Sequence, residues 1–159
     1  MLRPLTRKAR NFLRQPRFIQ FWLLPLWCIL GVSKALIFTV SFRRLAPHLG
    51  RQAGIAPWLP LLAPAQEARA LTIGRAVRLA ARYTPWDSNC FPQAVAARLL
   101  LGLYGIPYVL YFGLMRDPQS AAMKAHAWVA AGKVRVTGGT SFGRFTVVGC
   151  FVAPGLALS

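Results

Sequence analysis

An α+β fold, with helices first and a small antiparallel sheet after, is what this sequence predicts, and three observations predict it. Apolar residues recur at helical spacing between Gln66 and Tyr104. Beyond Gly105 the pattern changes to short runs of β-branched and aromatic residues separated by turn-like connections. With 159 residues, 55% of them apolar and 14% charged, the chain is about the size of one domain and is neither a disordered tail nor a collagen-like fibre. A domain of this length buries roughly two-thirds of its unfolded surface, enough for a core without disulfide or metal staples. Helices followed by strands, rather than alternating with them, make the class α+β.

The elements follow in order. Residues 1–45 read as a basic, apolar helical arm: Arg3, Arg7, Lys8, Arg10, Arg14 and Arg17 precede an apolar run from Phe18 to Val40. A spanning helix needs about 20 uninterrupted apolar residues. Here Gln20, Pro25 and Lys34 interrupt the run and no small-residue cleavage site follows, which disfavours both a membrane span and a signal peptide. A pair of helices broken at Pro25, facing the core or a partner, is expected instead, with association to anionic lipid left open. Residues 46–65, with Pro47, Gly50, Gly54, Pro57, Pro60 and Pro64, read as a linker ahead of a main domain over 66–159.

Within that domain, Ala70, Ile73, Val77 and Ala80 fall at helical spacing while Arg69, Arg75, Arg78 and Arg82 take other faces, which predicts an amphipathic helix from Gln66 to Thr84, ended by Pro85. A second helix is expected to start at Ser88 or Asn89, either of which can cap, and to run to about Tyr104, where Gly105 stops it. Pro92 suits its first turn. Strands are predicted over Pro107–Gly113, Ala125–Val129, Lys133–Thr137 and Phe145–Val152, the last three forming an antiparallel meander.

Twenty Lys and Arg against three acids give a net charge of +17, which calls for salt, anionic lipid or an acidic partner. Nucleic acid is disfavoured, because the arginines are scattered without a reading motif and the aromatic residues sit in apolar runs instead of alternating with basic ones. Cys28, Cys90 and Cys150 have neither the even count of a disulfide framework nor the spacing of a zinc site, so a reducing, cytoplasmic setting is expected. There is no metal constellation and no Gly-rich phosphate loop, hence no expectation of a cofactor or of ATP use.

Chemistry enters with a cysteine at a helix start and a histidine on a strand 36 residues later. A thiol attacks as thiolate, and the unpaired N–H groups and positive end of a helix stabilise that anion. Cys90 occupies this position. A histidine facing the helix end can pair with the thiolate and later protonate a leaving amine, and His126 is the only histidine placed for it. The Cys90 N–H and a neighbouring amide could bind the oxyanion of a tetrahedral intermediate. Cys28 and Cys150 read as packing residues and His48 as a solvated loop residue.

The ordered set Ser88-Asn-Cys-Phe-Pro-Gln-Ala, Tyr104-Gly-Ile-Pro, Gly113-Leu-Met-Arg-Asp-Pro, Ala125-His-Ala-Trp-Val and Val136-Thr-Gly-Gly with Phe145-Thr resembles the transglutaminase-like B protein of lasso-peptide biosynthesis. Phe42-Arg-Arg-Leu extends the resemblance into the arm. It implies a papain- or transglutaminase-like domain over 66–159, with Cys90 as nucleophile, His126 as base, and Asn89 and Trp128 as candidate substrate-binding residues. It further implies removal of a leader from a ribosomally made precursor peptide, a separate leader-recognition protein, and release of the core peptide to an ATP-dependent cyclase. Family members with a complete triad place an Asp on the strand after the histidine strand, where this chain has Val134-Arg-Val-Thr-Gly-Gly. Asp117 is then the first candidate for the third residue, Asp87 the second, and a Thr137 hydroxyl or a backbone carbonyl can serve instead, since that residue mainly orients the imidazole. Two other readings stand beside this one. An acyltransferase would use the same Cys90 and His126, and a basic membrane-associated scaffold would act through the apolar arm alone.

Overall fold

A computed structural model describes residues 10–55, 59–120, 122–139 and 143–155. Helix α1 spans Arg17–Thr39, the short helix α2 Phe42–Leu45, and strand β1 Arg51–Gln52. Helices α3, Pro64–Arg82, and α4, Cys90–Leu103, follow. Strands β2, Val109–Arg116, β3, Met123–Ala131, β4, Val134–Arg135, and β5, Thr146–Val152, complete the chain. The α+β layout matches the expectation, with three differences.

The first is at Pro25, where α1 continues as one helix. A proline inside a helix loses one backbone hydrogen bond and costs about 3 kcal/mol. Here that loss is offset next door, because Leu26 and Leu30 are completely buried and α1 packs against both α3 and α4, each such side chain contributing about 1.5–3 kcal/mol. The apolar helix of the N-terminal region therefore shares a core with the rest of the chain: Ile19, Leu26 and Leu30 join Ile73, Val77, Leu100, Leu110 and Val129 in one cluster.

Second, the segment read as linker supplies an edge strand, with Arg51 and Gln52 paired to Val152 and Phe151. Third, the last three strands are not a meander. The sheet order is β1-β5-β2-β3-β4, every pair antiparallel, so β5 leaves β4 and pairs with the far side of β2. Strand β4 offers only two residues, whereas β2 offers eight and pairs with β5 from Val109↔Val152 to Leu114↔Thr146.

Alternation along the strands sorts side chains onto two faces. Leu110, Ala127, Val129 and Phe151 join the core shared with the helices, while Val109, Tyr111, Trp128, Cys150 and Val152 form a second cluster on the opposite face. Helix α4 lies against β3, and α3 against β4. This contact brings the first turn of α4 to the sheet.

Candidate active site

The loop before α4 is held by its own side chains. Thr84 Oγ1 donates to a neighbouring carbonyl, lies 2.8 Å from the carbonyls of Ala81 and Trp86, and pairs with Ser88 Oγ at 2.8 Å. Gln93 Nε2 then donates to the Ser88 carbonyl at 2.7 Å across the helix start. Asn89 is the N-cap residue in extended conformation, though its side chain makes no capping bond. Cys90 is thus the first helical residue and half-exposed. Pro92, third in the helix, has no N–H to offer, and the Gln93 amide bonds the Asn89 carbonyl. The amides of Cys90 and Phe91 remain as the first-turn donors with no backbone acceptor in the helix.

His126 sits on β3 opposite Gly113 of β2, next to a register shift between Phe112 and Gly113. Its ring packs against both Trp128, 5.8 Å away at 25°, and Phe145, 4.8 Å away at 29°, which also touch each other at 6.3 Å. Gly113 makes room for that stack: a Cβ there would meet the Trp128 ring at 2.7 Å and Phe145 Cβ at 2.8 Å. The Nε2 atom of His126 lies 3.5 Å from the carbonyl oxygen of Gly138. Gly138 and Gly139 have φ of 83° and 58°, a pair of left-handed residues that a side chain would strain.

Cys90 and His126 open on one cavity of about 440 Å³. Among the described residues its other walls are uncharged. Phe112 anchors an aromatic corner with Phe42 at 5.1 Å, Phe151 at 5.7 Å and Phe91 at 6.0 Å, while Leu114 and Val148 line the rest with Gln52 as a neutral polar group. Among the described residues the thiol and the imidazole are the only titratable side chains facing this space, and they are not hydrogen-bonded to each other. Apo hydrogen bonds between catalytic groups commonly tighten only when substrate arrives.

The other expected residues fall elsewhere. Asp117 is not at the cavity. It pairs with Lys124 Nζ at 2.8 Å and accepts from Ser120 Oγ at 2.8 Å and the Gln119 amide at 3.3 Å. The Lys124 bond, with those from Ser120 and Gln119, holds its carboxyl down to about 2. The turn Arg116-Asp117-Pro118 is thus closed by Asp117 itself, four residues along the strand from the Gly113↔His126 pair and roughly 13 Å away at strand spacing. Asp87 offers its backbone carbonyl to Lys34 Nζ and does not line the cavity. The Thr137 hydroxyl accepts from the Val129 amide at 3.1 Å and so braces β3 rather than the imidazole. Trp128 is 1% exposed, stacks on Tyr111 and backs the His126 ring without lining the cavity. Asn89 is exposed and lies outside the cavity lining. Sequence reasoning missed Phe112, Phe151 and Gln52 as walls. Other walls lay within the quoted motifs: Phe42 in Phe42-Arg-Arg-Leu, Phe91 beside Cys90, Gly113 and Leu114 in Gly113-Leu-Met-Arg, and Ala125 and Ala127 on either side of His126.

A helix-start cysteine and a strand histidine line one largely apolar cavity at the helix–sheet junction, an arrangement in which a thiol can act as nucleophile beside an imidazole base. The family model of the transglutaminase-like superfamily matches residues 35–150, and the chain belongs to that superfamily. It is typically a superfamily of cysteine hydrolases and acyltransferases. No curated protein and no solved structure matches the chain.

Proposed function

We propose that this protein is a cysteine peptidase that removes the leader from a ribosomally made lasso-peptide precursor, working in the cytoplasm with a separate leader-recognition protein and passing the core peptide to a cyclase. The observation that carries the reading is the opening of Cys90 and His126 onto one apolar cavity in a transglutaminase-like domain. The Cys90 thiolate attacks the carbonyl of the leader–core amide. The resulting oxyanion is held by the Cys90 and Phe91 amides, a type of donor commonly worth about 3–4 kcal/mol each. His126, now protonated, gives its proton to the departing core amine, leaving the leader as a thioester on Cys90. Water, deprotonated by His126, then releases the leader as a free carboxylate and returns the thiol.

The Gly138 carbonyl serves as the orienting group in place of a carboxylate. Accepting from Nε2–H, it holds the tautomer that presents Nδ1 to the thiol. Among the described residues no separate leader-binding module stands beside the catalytic domain, and in the family that the motifs resemble a separate protein supplies one, so feeble cleavage by the purified chain alone is expected.

The test is to incubate the full chain with a precursor peptide, with and without the recognition protein, and to weigh the products. Cleavage stimulated by the partner, with a free carboxylate on the leader and loss of at least about a thousandfold in Cys90→Ala, supports the proposal. A new amide on the leader identifies acyl transfer and overturns it, as do equal rates for Cys90→Ala or efficient cleavage by the lone chain.

A further inference from the structure

The solvent side of α1 carries a row of apolar residues that no other described residue covers. Phe21, Leu24, Cys28, Val32, Leu36 and Phe38 are all exposed, Phe21 at 72%, Leu24 at 71% and Phe38 at 79%. Phe21, Leu24, Cys28 and Val32 follow spacings of three and four, so they form one stripe along the helix. The helix is about 34 Å long at its ordinary rise. The single charge inside it beyond Arg17 is removed from the stripe, because Lys34 turns inward and donates to the Asp87 carbonyl at 2.8 Å. Gln20 likewise folds back onto the Leu13 and Gln15 carbonyls. Cations cluster at the two ends instead, with exposed Arg10, Arg14 and Arg17 before the stripe and exposed Arg43 and Arg44 after it.

We propose that this face of α1 docks on an anionic lipid bilayer, the helix lying flat in the headgroup region. Charge selects the occupant. A second copy of a +17 chain would bring like charges together, whereas anionic headgroups neutralise the terminal arginines while the acyl boundary takes the apolar row. Although α1 is long and apolar enough to cross a membrane by length and composition, it is committed along its other side. Ile19, Leu26, Leu30 and Ser33 are buried, and the helix packs on α3 and α4, which carry Arg69, Arg75, Arg78 and Arg98. Spanning would have to drag those arginines into hydrocarbon or strip α1 from the core. Lying flat requires neither.

The experiment uses the full chain in physiological salt with vesicles of phosphatidylcholine, alone or with about 30% phosphatidylglycerol. Co-sedimentation is expected with the anionic vesicles only, and Leu24→Gln, Val32→Gln and Phe38→Gln together should weaken it at least about tenfold. In a Cys90→Ala background, a polarity-sensitive fluorophore on Cys28 should shift to the blue on binding and be quenched by nitroxides at the headgroup side of the acyl chain. Absence of binding, or equal binding by the triple variant, overturns the proposal, the latter showing charge attraction alone. Quenching strongest from the chain terminus shows a span and also overturns it. Neither readout depends on peptidase activity.

Discussion

Replacing Gly74 by Ala should destabilise the protein, against the usual sign for a glycine in mid-helix. Gly74 is buried on α3, and a Cβ there would stand 2.6 Å from the carbonyl oxygen of Val136 and 3.2 Å from Arg78 Nη1. That carbonyl already accepts from Arg78 Nη1 at 2.9 Å. To restore ordinary contact at 3.4 Å, the helix or the strand end must retreat by 0.8 Å against backbone, with no flexible side chain to absorb it. Helix propensity returns about 1 kcal/mol to alanine. Overpacking costs about 1–3 kcal/mol, and weakening a hydrogen bond to a charged donor costs up to about 1.5–3 more. The net loss is about 1–3 kcal/mol, a fall in Tm of about 3–10 °C for a chain of this size. Gly102→Ala is the matched control, because the nearest atom to its Cβ is Tyr108 Cε1 at 4.0 Å, so alanine there should be neutral or stabilising by up to about 1 kcal/mol. Thermal unfolding of both variants at one salt and protein concentration is the assay. Gly74→Ala melting at or above the parent, with Gly102→Ala behaving as stated, would refute the close seating of α3 on β4.

Three further outcomes follow from the same geometry. Gly113→Ala should force the Trp128 and Phe145 rings from their places beside His126, changing the near-ultraviolet circular dichroism and costing about 1–3 kcal/mol in denaturant unfolding, whereas Gly143→Ala, with nothing near its Cβ, should stay within about 0.5 kcal/mol. Alkylation followed by peptide mass should label exposed Cys28 and half-exposed Cys90 in the native protein and Cys150 only on unfolding, since burial pushes the Cys150 thiol up to about 11; native labelling of Cys150 as fast as Cys28 contradicts this core. The Asp117 carboxyl titrates at about 2, below its unfolded value, so its contribution to stability is present above the unfolded value and disappears as pH falls through about 2. Asp117→Asn should abolish that part of the acid dependence, and a carboxyl carbon resonance titrating near 4 would show that the Lys124 pair is not formed.

Much of the fold was legible because it rests on local chemistry. The start of α4 was readable from Asn89 and Pro92, the end of α3 from Pro85, and the four later strands from runs of β-branched and aromatic residues. Cys90 and His126 were singled out by the same means, each by its place on its own element. The helix through Pro25 was illegible, since the burial of Leu26 and Leu30 that offsets the proline comes from α3 and α4. The return of β5 to β2 was equally hidden, as it depends on β4 being too short to accept it.

The third member of the site shows the limit most clearly. With three acids in the chain, Asp117 was the natural candidate by elimination, yet an acid is committed by its nearest cation, and Lys124 stands across the turn. The group that faces His126 is a backbone carbonyl, a feature every residue has and no side-chain pattern reveals. Composition and spacing by themselves determined the class, the helix-start thiol, the strand imidazole and the basic charge, because each follows from the properties of neighbouring residues. Only the tertiary structure decided that the thiol and imidazole share a cavity, that aromatic residues wall it, and that α1 keeps an apolar face in solvent, because these depend on which distant surfaces pack and which are left over.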